Sequence, residues 1–252
     1  MTRVLAGAGC VAADEEAAEL VASAPDDATL DALVARRVSG EPLAWLVGTA
    51  RFCGLDVHVE AGVYVPRWQS EALAGRAAAL LPDDGVAVDV ATGSGAIALV
   101  LSRSRPGARV VGTDVDPVAL ACARRNGVEV FEGRLDEPLP DGLAGRVDVL
   151  CGVLPYVPTG SLHLLPRDVL AYEPRRALDG GPDGLGLVGD VVARSPRWLR
   201  PGGWLLLEVG ADQVDPLAER YGAAGFGDLE VVVDGDGDPR GVAGRLVPTV
   251  GS

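Results

Sequence analysis

The chain of 252 residues contains no lysine, so all 22 of its strongly basic side chains are arginine, and 36 acidic residues outnumber them to give a formal charge of −14. Such a surface repels phosphate backbones and argues against direct nucleic-acid binding. Cysteine is scarce. Cys10, Cys53, Cys122 and Cys151 form no CxxC pair, and only His58 and His163 stand available to join them. That spacing speaks against a zinc framework or a disulfide scaffold and leaves small buried thiols. Long apolar runs are missing too. Ala96–Leu101 and Trp204–Leu207 fall far short of the roughly 20 residues of a membrane span. Met1–Cys10 has no signal-peptide core and runs into acidic residues, so a cytoplasmic protein without membrane contact is expected. What is abundant is apolar: 48% hydrophobic residues and a mean hydropathy of +0.23 suit a folded chain with one substantial core.

The pattern divides the chain in three. Residues 1–44 read as a small helical domain, with amphipathic stretches at Ala13–Ala24 and Ala28–Val38. Residues 45–66 read as a linking β-hairpin around Gly54, with β-like stretches over Trp45–Glu60. Residues 67–252 read as the main domain. Gln69–Leu81 is helical, and from Gly85 strands and helices alternate: strands at Val86–Ala91, Arg109–Thr113, Val128–Glu132, Val147–Val153 and Trp204–Val209, helices at Ala96–Ser104, Pro117–Arg125, Leu187–Leu199 and Asp215–Ala224. This alternation implies a mostly parallel sheet covered on both faces. A Pro/Gly-rich loop reaches from the fourth strand to about Leu185, and Leu229–Val233 with Gly241–Val247 form an antiparallel edge.

The chemical signal lies in Asp89-Val-Ala91-Thr92-Gly93-Ser94-Gly95, a tight turn between a strand and a helix. Two glycines let a ligand approach the backbone, and the helix start offers unpaired N–H groups. Such a turn suits a nucleotide-like cofactor at the carboxyl end of the sheet. Gly93-Ser-Gly95-Ala-Ile-Ala98 also fits the dinucleotide pattern GxGxxA, so NAD remains an alternative. Asp114, 19 residues after Gly95, can accept the ribose hydroxyls of either cofactor. Asp89, placed to meet an ammonium group, the antiparallel edge and the lack of a second substrate domain favour S-adenosylmethionine.

The sequence resembles the HemK/PrmC-type protein-glutamine N5-methyltransferases over nearly its whole length. The matching segments are Arg36-Arg37-Val-Ser-Gly40-Glu41-Pro42 with Gly48 and Phe52, Val65-Pro66-Arg67 with Glu71, Asp89–Ala98, Gly112-Thr-Asp114, Glu173-Pro174-Arg175-Arg176-Ala177-Leu178 with Gly180–Leu185, and Asp238-Pro-Arg240 with Gly244-Arg245. The resemblance implies a Rossmann-like α/β class I methyltransferase fold, S-adenosylmethionine as methyl donor, and a glutamine of a peptide-chain release factor as acceptor. It implies cofactor contacts at Asp89, Ala91, Thr92, Gly93, Ser94, Gly95, Asp114, Val115, Arg134 and Leu135, and the acceptor site at Val153, Leu154, Pro155 and Tyr156.

Three segments depart from the family pattern. The family carries Asn-Pro-Pro-Tyr where this chain has Val153-Leu154-Pro155-Tyr156. The family's Asn and the next backbone carbonyl hold the acceptor amide, whose delocalised lone pair is a poor nucleophile and needs orientation. Val153 offers no acceptor, so a small-molecule methyl acceptor is the alternative, with a non-catalytic binding protein behind it. Arg134 stands where the family is usually acidic, and Ala91 replaces a glycine. Arg67, His163 and Glu173 are further candidates at the substrate side: Arg67 and His163 are expected to wall one cavity with Val153 and Tyr156, whereas Glu173, just before Pro174, is expected to fix the long loop rather than to act as a base. No metal is expected: in Asp234-Gly-Asp236-Gly-Asp238, Pro239 and Arg245 occupy positions where a calcium loop needs Gly and Glu.

Overall fold

Alanine and leucine, strong helix formers, dominate the first 50 residues. The computed structural model, which describes residues 1–248, folds them into α1 (Thr2–Gly7), α2 (Ala13–Ser23), α3 (Asp27–Val38) and α4 (Leu43–Val47). Asp26 starts α3 by accepting the Thr29 N–H at 2.7 Å. Leu5, Ala13, Ala17, Leu20 and Leu33 gather into an apolar cluster that belongs to these helices. The hairpin follows as β1 (Thr49–Phe52) and β2 (Leu55–His58), closed by Cys53 and Gly54 at φ +48° and +74°. Two positive φ values match the twist of a two-residue hairpin turn. Trp45 lies in α4 rather than in a strand, because its indole N–H finds the Val63 carbonyl at 2.9 Å.

Next come α5 (Glu71–Leu80), β3 (Val86–Val90), α6 (Ala96–Ser104), β4 (Arg109–Asp114), α7 (Pro117–Arg125), β5 (Glu129–Glu132) and β6 (Val147–Gly152). The last third holds α8 (Arg167–Tyr172), α9 (Gly186–Arg194), β7 (Leu199–Glu208), α10 (Val214–Ala223), β8 (Phe226–Val233) and β9 (Pro239–Leu246). Seven strands form one sheet in the order β5-β4-β3-β6-β7-β9-β8. β5, β4, β3, β6 and β7 run parallel, and β9 enters antiparallel between β7 and β8.

Two apolar layers cover the sheet. One joins α5, α6 and α7 to the hairpin through Phe52, Val57, Leu73, Leu101 and Cys151; the other joins α9 and α10 through Val88, Leu150, Val188, Leu205 and Leu217. The chain leaves β3 for β4 on one side and reaches β6 on the other, so the carboxyl end of β3 is the switch point where such sheets hold ligands. The stretch expected as a loop after β6 contains α8 and several 3-10 turns. Val157 tethers it by donating to Leu178 O at 3.1 Å and accepting from Gly180 N at 2.9 Å, and Gln213 Nε2 donates to both Tyr156 O and Asp183 O at 2.9 Å. Among the described residues, no helix is long and apolar enough to cross a membrane, and no group of three potential metal ligands occurs.

Candidate active site

At the end of β3 the backbone turns sharply. Ala91, Gly93 and Gly95 take φ values of +56°, +57° and +81°. At Gly95 the glycine is required twice, because a Cβ would also come within 3.0 Å of Ala123 and Val128. At Gly93 a Cβ would meet nothing within 4 Å, which leaves open space on the ligand side. Two carboxylates hold the turn. Asp89 Oδ2 accepts the Thr92 hydroxyl at 2.5 Å and the Ala98 N–H of α6 at 3.2 Å. Asp114, at the end of β4, accepts Gly93 N–H through Oδ2 and Asp116 N–H through Oδ1, both at 2.9 Å.

A cavity of about 330 Å³ opens beside this turn. Its turn end is bounded by Asp89, Ala91, Thr92, Gly93, Ser94, Asp114, Val115, Arg134 and Leu135. Every cofactor-side candidate from the sequence is therefore on the cavity wall except Gly95, which faces α7 instead. This end is negative. Asp89 is 1% exposed, and burial pushes its carboxyl up to about 7 against the pull of Thr92 and Ala98. Burial also raises Asp114, with the Asp116 and Gly93 N–H groups opposing. The arginines on this wall are already paired: Arg176 with Asp116 and Arg134 with Asp190, each at 2.5 Å.

The other end of the cavity is apolar. Val153, Leu154 and Pro155 leave β6 and meet Phe52 from the hairpin and Tyr64, Pro66 and Ser70 from the segment before α5. Side-chain polarity there is confined to the hydroxyls of Tyr64 and Ser70, and burial pushes the Tyr64 phenol up to about 12. No protein group donates to the Leu154 carbonyl among the described residues. Asn126, the one asparagine of the chain, is spent elsewhere: its side chain accepts from His58 N at 2.8 Å and donates to His58 O and Ser94 O.

The remaining candidates stand apart from this cavity. Tyr156 turns its hydroxyl away to donate to buried Glu208 at 3.0 Å. His163 is exposed in a 3-10 turn. Arg67 and Glu173 line a separate cleft, where Arg67 donates to a Glu173 carboxylate that is almost wholly buried. Glu173 also accepts from Val65 N–H at 3.4 Å, and the Arg67 guanidinium lies 5.3 Å from the centre of the Tyr64 ring. These contacts brace the Tyr64–Pro66 segment against the loop after β6. Sequence reasoning did not single out Tyr64, Ser70, Asp116, Arg176 or Glu208. Arg176 falls inside a motif that was visible, whereas a serine six residues past a tyrosine carries no pattern of its own.

No family model matches the chain. Among curated proteins, a release factor glutamine methyltransferase of Geobacter sulfurreducens is 41% identical over 220 residues, covering 85% of this chain and 76% of the relative. Its counterpart in Mycobacterium leprae is 40% identical over 222 residues, covering 84% and 77%. Among solved structures, a methyltransferase from Pyrococcus furiosus aligns with a TM-score of 0.59 at 19% identity, covering 85% of this chain and 98% of that one, a likeness of fold.

Proposed function

The chain belongs to the release factor glutamine methyltransferase family, and from that premise we propose that it methylates the side-chain amide of a glutamine in a peptide-chain release factor, with S-adenosylmethionine as donor. Membership makes it a methyltransferase; the donor contacts and the acceptor are our reading. The observation that carries it is the buried Asp89 carboxylate beside an open glycine turn. Its Oδ1 takes no hydrogen bond from the protein among the described residues. A free carboxylate oxygen there suits an ammonium group and a nearby sulfonium. It opposes the diphosphate of NAD, since the arginines on that wall are already paired.

The residues fit the donor in detail. Asp89 holds the ammonium, Asp114 keeps lone pairs for the ribose hydroxyls, and Gly93 leaves room for the chain between them. Leu135 and Arg134 bound the place for the base. Bound in this way, S-adenosylmethionine supplies an electrophilic methyl group. The protein's own contribution is alignment and exclusion of water. Val153, Leu154, Pro155 and Phe52 dry the acceptor end, and the Leu154 carbonyl accepts one amide hydrogen. Val153 cannot accept the other, so the amide is held less firmly than a side-chain acceptor would hold it.

Incubation of the full chain with methyl-labelled S-adenosylmethionine and a bacterial release factor tests this reading. The expected result is label on one glutamine, located by mass spectrometry. Label on small molecules of a cell extract, with none on the release factor, would sink it.

A further inference from the structure

Glu208 is the last residue of β7 and is 2% exposed. Gly152 of β6 pairs with Leu207 of β7, so Val153 and Glu208 occupy the next level on neighbouring parallel strands. Two residues earlier, Cys151 and Leu206 both belong to the apolar layer under α5. Strand alternation returns Val153 and Glu208 to that same face. A buried carboxyl thus stands beside the position where this chain lacks a side-chain acceptor.

Only half of that carboxyl is used. Oε1 accepts the Tyr156 hydroxyl at 3.0 Å, while Oε2 is buried with no hydrogen-bond partner. Leaving a buried carboxyl oxygen unpaired costs stability, so packing alone is a poor account of it. The Ser70 hydroxyl lies close enough to the same carboxyl to favour its ionised form, without forming a hydrogen bond to it. Ser70 is itself 3% exposed and lines the acceptor end of the cavity. The chain therefore places a hydroxyl between the acceptor end and a buried carboxylate.

We propose that Glu208, acting through the Ser70 hydroxyl, takes up the proton that the acceptor nitrogen sheds on methylation. This rests on the glutamine-amide reading above. As the N–CH3 bond forms with the nitrogen electron pair, the S–CH3 bond breaks and its pair stays on sulfur. The nitrogen is left one proton in excess. With its hydroxyl turned onto the free Glu208 Oε2, Ser70 accepts that proton on oxygen and passes its own to the carboxylate, leaving neutral N-methylamide and neutral carboxyl. Glu208 does not touch the acceptor; it is a positioning and proton-accepting group behind Ser70. Burial raises its carboxyl above the usual range, which suits a base. The titratable and charged groups facing it are Tyr156 from the loop after β6, Tyr64 before α5 and Arg240 of β9.

The test uses the full chain with saturating S-adenosylmethionine and a glutamine-containing release-factor peptide, in wild type, Glu208→Gln, Glu208→Asp and Ser70→Ala. In wild type, kcat falls on acidification along a one-proton limb. Glu208→Gln and Ser70→Ala lower kcat roughly tenfold to hundredfold near pH 8 and flatten that limb, with KM for the peptide little changed, and Glu208→Asp recovers part of the loss. A second readout needs no turnover. In the free protein labelled with side-chain 13C-glutamate, the resonance lost in Glu208→Gln titrates above the ordinary carboxyl range and moves in Ser70→Ala. Should Glu208→Gln fail to fold, Ser70→Ala carries both readouts. Unchanged kcat and pH profile in the variants overturn the proposal alone. Absence of glutamine methylation by wild type overturns the functional reading, and the proposal with it.

Discussion

The two ends of one cavity are built by different rules. The turn end is made mainly of backbone, glycine and carboxylates within residues 89–116, with Asp89 and Asp114 anchored by hydrogen bonds to the turn itself. The Val153 end is made of apolar side chains from three distant segments and has two hydroxyls and no side-chain carbonyl. A ligand at the turn end would meet charge and main-chain geometry. One at the Val153 end is enclosed more than it is gripped. The contrast separates identification of the donor from activation of the acceptor.

The largest effect is expected from Asp114→Ala, which removes the carboxylate proposed for the ribose, the same one that fastens Gly93 and Asp116. Affinity for S-adenosylmethionine should fall by about a hundredfold in calorimetry, while the acceptor peptide binds as before. An equal loss at both ends would erase the distinction between them. Arg67→Ala leaves the buried Glu173 without its cation and should cost about 2–3 kcal/mol in denaturant unfolding, a value lowered for the partial exposure of Arg67. Val153→Asn supplies the missing acceptor and should raise kcat on a glutamine peptide about tenfold. Donor affinity should not move; if it does, the two ends are coupled.

Protonation gives a comparable shift at the turn end alone. The Asp89 carboxyl lies at about 7, and its neutral form cannot pair with an ammonium. Donor affinity should therefore weaken about tenfold per pH unit once the pH drops below that value. Stability of the unliganded chain runs the opposite way. A carboxyl raised above its ordinary range binds its proton more tightly when folded, so stability falls as pH rises from that range through about 7. Asp89→Asn should flatten both curves. The smallest effect is local: Ala91 holds φ +56°, which costs an L residue about 1 kcal/mol, and Ala91→Gly should recover much of that in thermal unfolding.

Legibility from sequence followed the same divide. The βα alternation, the mostly parallel sheet and the glycine turn were readable because each is set by residues close together in the chain. The strand at Leu199 was read as helix up to that residue, since its first half, Leu199-Arg-Pro-Gly-Gly, carries turn signals rather than strand signals. α1 and α8 went unseen because helices of six residues are too short to display a period. Tyr156, Arg67 and His163 were expected around one cavity with Val153, and Glu173 was expected to fix the long loop. Folding instead gave Tyr156 to Glu208, paired Arg67 with Glu173 in a separate cleft, and left His163 exposed.

The sequence by itself determined the glycine turn, the carboxylates beside it and the lack of a side-chain acceptor at Val153, because features of that kind are written in adjacent residues. The tertiary structure decided what surrounds Val153. It brought Ser70 from before α5 and Glu208 from the end of β7 to the same face as Val153, across more than fifty residues of chain on either side. Sheet register and helix packing make that neighbourhood, and neither can be counted along a sequence.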